Sequence, residues 1–243
     1  MVLQEWRWSG YGKVQSSICH IVRQTHIELS EAALVHSSEE LIIARAADIL
    51  AAGGLVAFPT DTFYALGADA LNPAAVRKAF EAKGRAETRP MPLLVAGPED
   101  TLKIARSFSE QAQRLAEKFW PGALTIVLPK RPEVPSEITA GGDGVGVRVP
   151  DHVLALRLIR AFGGPVCGTS ANSSGGQPHK NAAGVEQELG AKMGLIVQGE
   201  CGTHSAPSTV IDFTKSPPVI VREGAIGFKD IAAFVPNVVR ARA

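Results

Sequence analysis

Cysteine is scarce in this chain, with only Cys19, Cys167 and Cys201 among 243 residues. Three are too few and too scattered for a disulfide framework, which points to a reducing, cytoplasmic setting. Long apolar runs are missing as well. No stretch reaches the roughly 18 apolar residues of a transmembrane helix, so no membrane partner is expected. The opening MVLQEWRWSGYGK lacks the basic-then-apolar order of a secretory signal. Neither sign of charge prevails: 25 Lys and Arg stand against 24 Asp and Glu, a formal net charge of +1. No global field draws the protein to nucleic acid or lipid, so any phosphate-binding charge must be local. The familiar nucleotide signatures fail too. There is no G-x-x-x-x-G-K-[ST] loop. The glycines of GGDGVG (141–146) precede a strand instead of opening a helix, and Ser170 sits in GTSAN, not in a G-x-S-x-G elbow. CGTH at 201–204 has a metal-like interval but no second ligand pair, so zinc is not expected.

What is present is the composition of a globular chain, 45% hydrophobic and 20% charged. Residues 1–36 show no helical period. They could form an extra strand on the main body, a flexible extension, or translated sequence upstream of the true start. From Ser37 the pattern becomes regular. Ser37-x-x-Glu40 reads as a capping box, with Ile42, Ile43, Ala46, Ile49 and Leu50 recurring on one face until Gly53. LVAF (55–58), PLLV (92–95) and ALTIVL (123–128) read as buried strands. Asn72-Pro73 starts a second helix, the spacing over 98–119 predicts a third, and Asp151 caps a fourth that ends at Gly163. Further strands are expected at 165–168, 195–198, 209–213 and 218–222. The result is an α/β fold with one large sheet, a single domain over 37–232 and a tail over 233–243.

Three polar segments stand at strand or helix ends. PTDTFYALG (59–67) follows a buried strand, where ligand sites in open α/β sheets gather, though Pro59 and Asp61 also suit an ordinary turn. Lys83-Gly84-Arg85 ends the second helix; such cations complement the helix dipole but also suit a polyphosphate. GPVCGTSANSSGG (164–176) starts as a strand and ends in hydroxyls, an amide and glycines that could cradle an anion or form a plain polar loop.

The order of the blocks is more specific than any one of them. P-T-D-T-F-Y-A-L-G, K-G-R, P-L, W-P-G-A-L-T, V-R-V-P, S-A-N, S-T-V-I-D and R-E-G run in sequence from about Gly53 to Ile226. In that order they resemble the YrdC family of threonylcarbamoyl-AMP synthases. The resemblance implies a YrdC/RibB-like twisted, largely open mixed sheet with flanking helices and a concave, positively lined cleft. It implies synthesis of threonylcarbamoyl-AMP and pyrophosphate from L-threonine, bicarbonate or CO2, and ATP with Mg2+. The product would serve threonylcarbamoyladenosine modification of tRNA beside the anticodon, through a separate downstream transfer complex and with at most transient tRNA contact. Carried over by residue, Lys83, Arg85, Ser170, Asn172 and Arg222 would bind ATP, with Asn172 near the magnesium ion and His179 a further ATP contact beyond the extra Gly176. Thr62, Arg148 and Ser208 would hold threonine, Arg148 through a bidentate pair with its carboxylate. No covalent nucleophile is implied. Ala96 stands where many relatives have His, and Ala65 where glycine is usual. The chain ends soon after R-E-G, as expected of the short single-domain form. Two other functions fit parts of the pattern. One is an RNA-binding paralogue without adenylation, against which the near-neutral charge argues. The other is a carbamoyl-phosphate-using relative of hydrogenase-maturation domains, whose cysteine clusters are missing.

Overall fold

The computed structural model describes residues 38–86 and 88–241. The chain divides into a unit of Met1–Ile42 and a unit of Ile43–Ala243. Of the first unit, only 38–42 are described, as the opening of helix α1 (38–51). The expected extension over 1–36 and the Ser37 cap lie outside the described residues.

In the second unit α1 buries Ile43, Ala46, Ala47 and Leu50, an i, i+3, i+4, i+7 face. Of the residues read onto that face, Ile43, Ala46 and Leu50 are buried and Ile49 half-buried, while Ile42 is exposed. Gly53, at φ 72°, ends it by taking a conformation that costs other residues energy. Strand β1 (Val56–Phe58) follows, and its fully buried VAF explains the unbroken apolar run. It pairs antiparallel with β2 (Ala65–Gly67) and parallel with β8 (Leu195–Ile196), while β2 pairs antiparallel with β7 (Thr169–Ser170). These strands make a four-stranded sheet in the order β7-β2-β1-β8. The other strands are β3 (Leu93–Leu94), β4 (Leu124–Pro129), β5 (Gly144–Arg148), β6 (Val166–Cys167), β9 (Thr209–Asp212), β10 (Val219–Arg222) and β11 (Val239–Arg240). They form a seven-stranded mixed sheet in the order β11-β10-β9-β4-β5-β3-β6.

The structure thus has two mixed sheets where the strand count suggested one. The chain passes from one to the other at Gly168, between β6 and β7. A Cβ at this glycine would run into the side chain of Leu94 on β3, and its N–H donates to the Pro92 carbonyl (2.8 Å). Only a residue without a side chain fits so close a crossing. The crossing delivers Thr169, Ser170 and the S-A-N turn to the edge of β2.

Two expected helices differ. The apolar spacing over 98–119 is split into a 3-10 turn at Pro98–Lys103 and helix α3 (Glu110–Phe119). Between them, Ala105 bridges to Lys130 and the Arg106 N–H donates to the Pro129 carbonyl (2.8 Å), pulling the backbone off the helical path. Ser109 restarts it, its side chain accepting from the Ala112 N–H. Helix α4 (Val153–Phe162) has His152, not Asp151, at its N-cap, and the Asp151 N–H donates to Asp61 Oδ1 (3.1 Å). Helix α2 (Pro73–Lys83) is capped by Asn72 as read, and ends at Gly84, φ 57°. Helices α5 (Ala182–Leu189) and α6 (Phe228–Ala232) went unread. The stretch assigned to a tail holds β11, paired parallel to β10.

Candidate active site

The segment after β1 is buried despite its polarity: Thr60, Asp61 and Thr62 are each at most 4% exposed. Thr60 organises the turn. Its hydroxyl donates to the Phe63 carbonyl (2.7 Å) and accepts from the N–H groups of Thr62 and Phe63. Asp61 then points at Arg148, the last residue of β5, and its Oδ1 accepts from Arg148 Nη2 (2.6 Å). Arg148 Nε donates to the Gly122 carbonyl (2.9 Å), and Nη1 lies 3.4 Å from the Thr62 hydroxyl. This changes the expected role in one respect. The Nε–Nη2 edge is already committed to the protein, so a ligand carboxylate would meet the remaining Nη1 and Nη2 hydrogens beside Thr62.

Ser208 and Arg222 form a second corner. Arg222, at the end of β10, donates through Nε and Nη2 to the Ser208 carbonyl (3.1 and 2.8 Å) and through Nη2 to the Ser208 hydroxyl (3.1 Å). That hydroxyl also pairs with Thr125 of β4 (2.9 Å). Parallel pairing of β4 with β9, and antiparallel pairing of β9 with β10, bring these three residues together.

Lys83, the last residue of α2, is only 3% exposed. Its ammonium donates to the carbonyls of Ser170 and of Asn172 (2.5 Å to the latter). Two of its three N–H bonds therefore grip the S-A-N turn, and one is left for a ligand. Arg85 reaches around the next turn to the carbonyls of Arg89 and Pro90. Asn172 is 3% exposed, and its Nδ2 donates to the Ser173 and Gly176 carbonyls (2.8 Å each). Its Oδ1 is buried with no protein partner. His179 is turned onto Glu188 of α5, so its Nε2 is already engaged.

The cations feel one another. Burial, then the charge of Arg85, hold the Lys83 ammonium down at about 8. Burial lowers Arg222, and the charges of Arg148 and then Arg85 lower it further. Residues from α2, the loop after it, β5 and β10 thus converge in one electropositive region, edged by Thr62, Ser208, Ser170 and Asn172. Two concavities, of about 220 and 590 Å3, lie elsewhere. One is lined by Val95, Ala96 and α4 residues, the other by Lys78, Glu81 and Lys192. The guanidinium groups of Arg148 and Arg222 are folded onto protein partners within the cation cluster.

Sequence reasoning passed over four participants. Asp61 and Tyr64 lie in PTDTFYALG, which suits a ligand site or an ordinary turn but assigns neither a role of its own, and Thr125 reads as part of a strand. Tyr64, fully buried, donates from its hydroxyl to the carbonyls of Val197 (3.1 Å) and Gly199 (2.6 Å), and burial pushes it up to about 12. Glu188 lay in a helix that was not foreseen. Among the described residues no group of three His, Cys, Asp or Glu could hold a metal ion. The donor set suits a magnesium ion carried in by phosphates, which needs few protein oxygens. Asn172 Oδ1, buried and unpartnered, is such an oxygen.

Residues 48–224 match the family model Sua5_yciO_yrdC, described as telomere recombination. The chain is 42% identical over 200 residues to the threonylcarbamoyl-AMP synthase of Pyrococcus abyssi, covering 82% of this chain and 59% of the relative. It is 40% identical over 200 residues to that of Bacillus subtilis, covering 82% and 58%. The crystal structure of P. abyssi Sua5 complexed with L-threonine superposes with a TM-score of 0.81 at 40% identity, over 83% of this chain and 59% of that one. E. coli YciO gives a TM-score of 0.71 at 28% identity, over 79% and 93%. The chain spans about three-fifths of the length of the P. abyssi and B. subtilis relatives. With the family model covering most of the chain, and β5, β10, α2 and the S-A-N turn converging as the blocks imply, this protein belongs to the Sua5/YciO/YrdC family.

Proposed function

We propose that this chain is a nucleotidyltransferase that makes threonylcarbamoyl-AMP and pyrophosphate from L-threonine, bicarbonate or CO2, and ATP. The observation that carries the reading is the convergence of Lys83, Arg85, Arg148 and Arg222 beside buried hydroxyls and the S-A-N turn. Like charges held this close cost energy unless a polyanion neutralises them. ATP and a carboxylate together would do so.

The chemistry needs little beyond this. The threonine amine must meet CO2, and the resulting carbamate must attack the α-phosphorus of ATP and expel pyrophosphate. Neither step calls for a covalent enzyme nucleophile, so positioning and charge neutralisation supply the catalysis. Arg148, held rigid by Asp61 and Gly122, would orient the threonine carboxylate, with Thr62 and Ser208 beside it. Lys83, Arg85 and Arg222 would neutralise phosphate oxygens, and Ser170 and Asn172 would line the nucleotide. His179 would act there through Glu188, not as a direct ligand. A magnesium ion on the phosphates, with Asn172 Oδ1 as its protein ligand, would further offset their charge. The product would pass to a tRNA threonylcarbamoyl-transfer complex, with transient tRNA contact at most. We place the reaction in the cytoplasm, where ATP and tRNA are found; the free thiols of Cys167 and Cys201 fit that setting.

The test supplies purified protein with ATP, labelled bicarbonate and a panel of amino acids, and follows pyrophosphate. Threonine-dependent release with incorporation of label is expected. Binding of tRNA without any turnover would replace this reading with the RNA-binding one.

A further inference from the structure

The loop that follows the S-A-N turn is tied down by a residue outside every sequence motif. Glu188 lies on α5, and its Oε1 accepts from the Ser173 N–H (2.7 Å) while its Oε2 pairs with His179 Nε2. One carboxylate thus fastens both ends of the loop over 173–179. Gly184 stands one helical turn before Glu188 on the same face of α5. A Cβ there would come within 2.5 Å of His179 Nδ1, so the imidazole rests directly on the helix backbone. From the other side, Lys83 grips the Ser170 and Asn172 carbonyls, and its own carbonyl accepts from the Ser174 N–H (2.8 Å). Inside this clasp the Asn172 amide spends its two N–H donors on Ser173 and Gly176. Its oxygen is thereby kept free of protein partners.

The geometry points to Glu188 as a positioning residue for the nucleotide-binding turn: it sets the loop, the loop fixes the Asn172 amide, and the amide oxygen is presented to the nucleotide or its metal ion. Hydrogen bonds from Ser173 and His179 hold Glu188 down at about 2, so it stays an acceptor across the working range. The inference rests on the ATP-binding reading above and deepens it. Among the described residues Glu188 makes no hydrogen bond to Thr62, Arg148 or Ser208. Its one path to that side is the His179 carbonyl, which accepts from the Tyr64 N–H (2.9 Å), so its influence falls mainly on the nucleotide side.

Isothermal titration of the full chain with MgATP, and separately with L-threonine, tests it. Glu188→Ala is expected to weaken MgATP binding by about tenfold, from two lost charge-assisted bonds and a loosened loop, and to leave threonine binding unchanged. Glu188→Gln keeps an acceptor for Ser173 and should restore most of the affinity. Gly184→Ala pushes the imidazole off the helix without threatening the fold, since alanine favours helix; it should weaken MgATP binding severalfold even where Glu188→Ala fails to fold. Equal MgATP affinity in wild type and variants overturns the inference, as does an equal loss for ATP and threonine. A wild type that binds no ATP overturns the functional reading, and this one with it.

Discussion

Replacing Lys83 by methionine keeps the reach of the side chain and removes its charge together with its hydrogen bonds to the Ser170 and Asn172 carbonyls. Proton uptake and pH slope then single out what the charge does. The residue is 3% exposed, and burial, followed by Arg85, lowers the pKa of its ammonium from 10.5 to about 8. At about 1.4 kcal/mol for each pKa unit, holding Lys83 charged costs the folded chain about 3 kcal/mol. The cost is present below pH 8 and disappears as the pH rises to about 10.5. This group therefore makes the protein more stable with rising pH across that window. A bound triphosphate acts in the opposite direction, because it attracts the charged form and raises the pKa. Binding of ATP above pH 8 must then take up a proton, and its affinity should fall by about tenfold per pH unit. Calorimetry at pH 7 and pH 9, in buffers of different ionisation enthalpy, reads both quantities. Wild type should take up almost no proton at pH 7 and about 0.9 at pH 9, the neutral fraction given by a pKa of about 8. Lys83→Met should bind ATP more weakly at pH 7 and show neither the uptake nor the pH slope. Wild-type affinity that is equal at pH 7 and pH 9, without proton uptake, would refute this account of Lys83.

Three further outcomes follow from single contacts. Gly168→Ala drives a Cβ into Leu94 at the crossing between the sheets and should lower stability by about 1–3 kcal/mol in urea melts, as overpacking does; an unchanged midpoint would mean the crossing has slack. Asp61→Ala leaves Arg148 buried without its partner and should cost about 3–5 kcal/mol. Asp61→Asn should cost less, because its amide oxygen can still accept from Arg148 and Asp151; parity of the two variants would show that the charge alone matters. Tyr64→Phe strips the donor shared by the Val197 and Gly199 carbonyls, and about 1–2 kcal/mol of stability should go with it in the same assay.

Local pattern carried a good part of this protein. The apolar runs at β1 and β4, the Asn72-Pro73 start of α2 and the glycines that end α1 and α2 are short-range features. Each follows from backbone sterics and burial within a few residues. The ordered blocks went further, since they named the family and singled out residues that the fold does draw together. What they could not give is what each side chain touches. Lys83 looked like a free cation at a helix end, yet it reaches 87 and 89 positions along the chain to the carbonyls of Ser170 and Asn172. Arg148 looked open to a carboxylate, yet Asp61, 87 positions away, already holds one edge of it. Helix α5 was missed because AAGVEQEL carries only a weak apolar face, and Glu188 was missed with it. The 98–119 helix was overread because a bridge to Lys130 breaks it. Spacing along a chain reports which way a side chain faces within its own element. Which partner it meets depends on sheet order and on the Gly168 crossing, and only the tertiary structure fixes those.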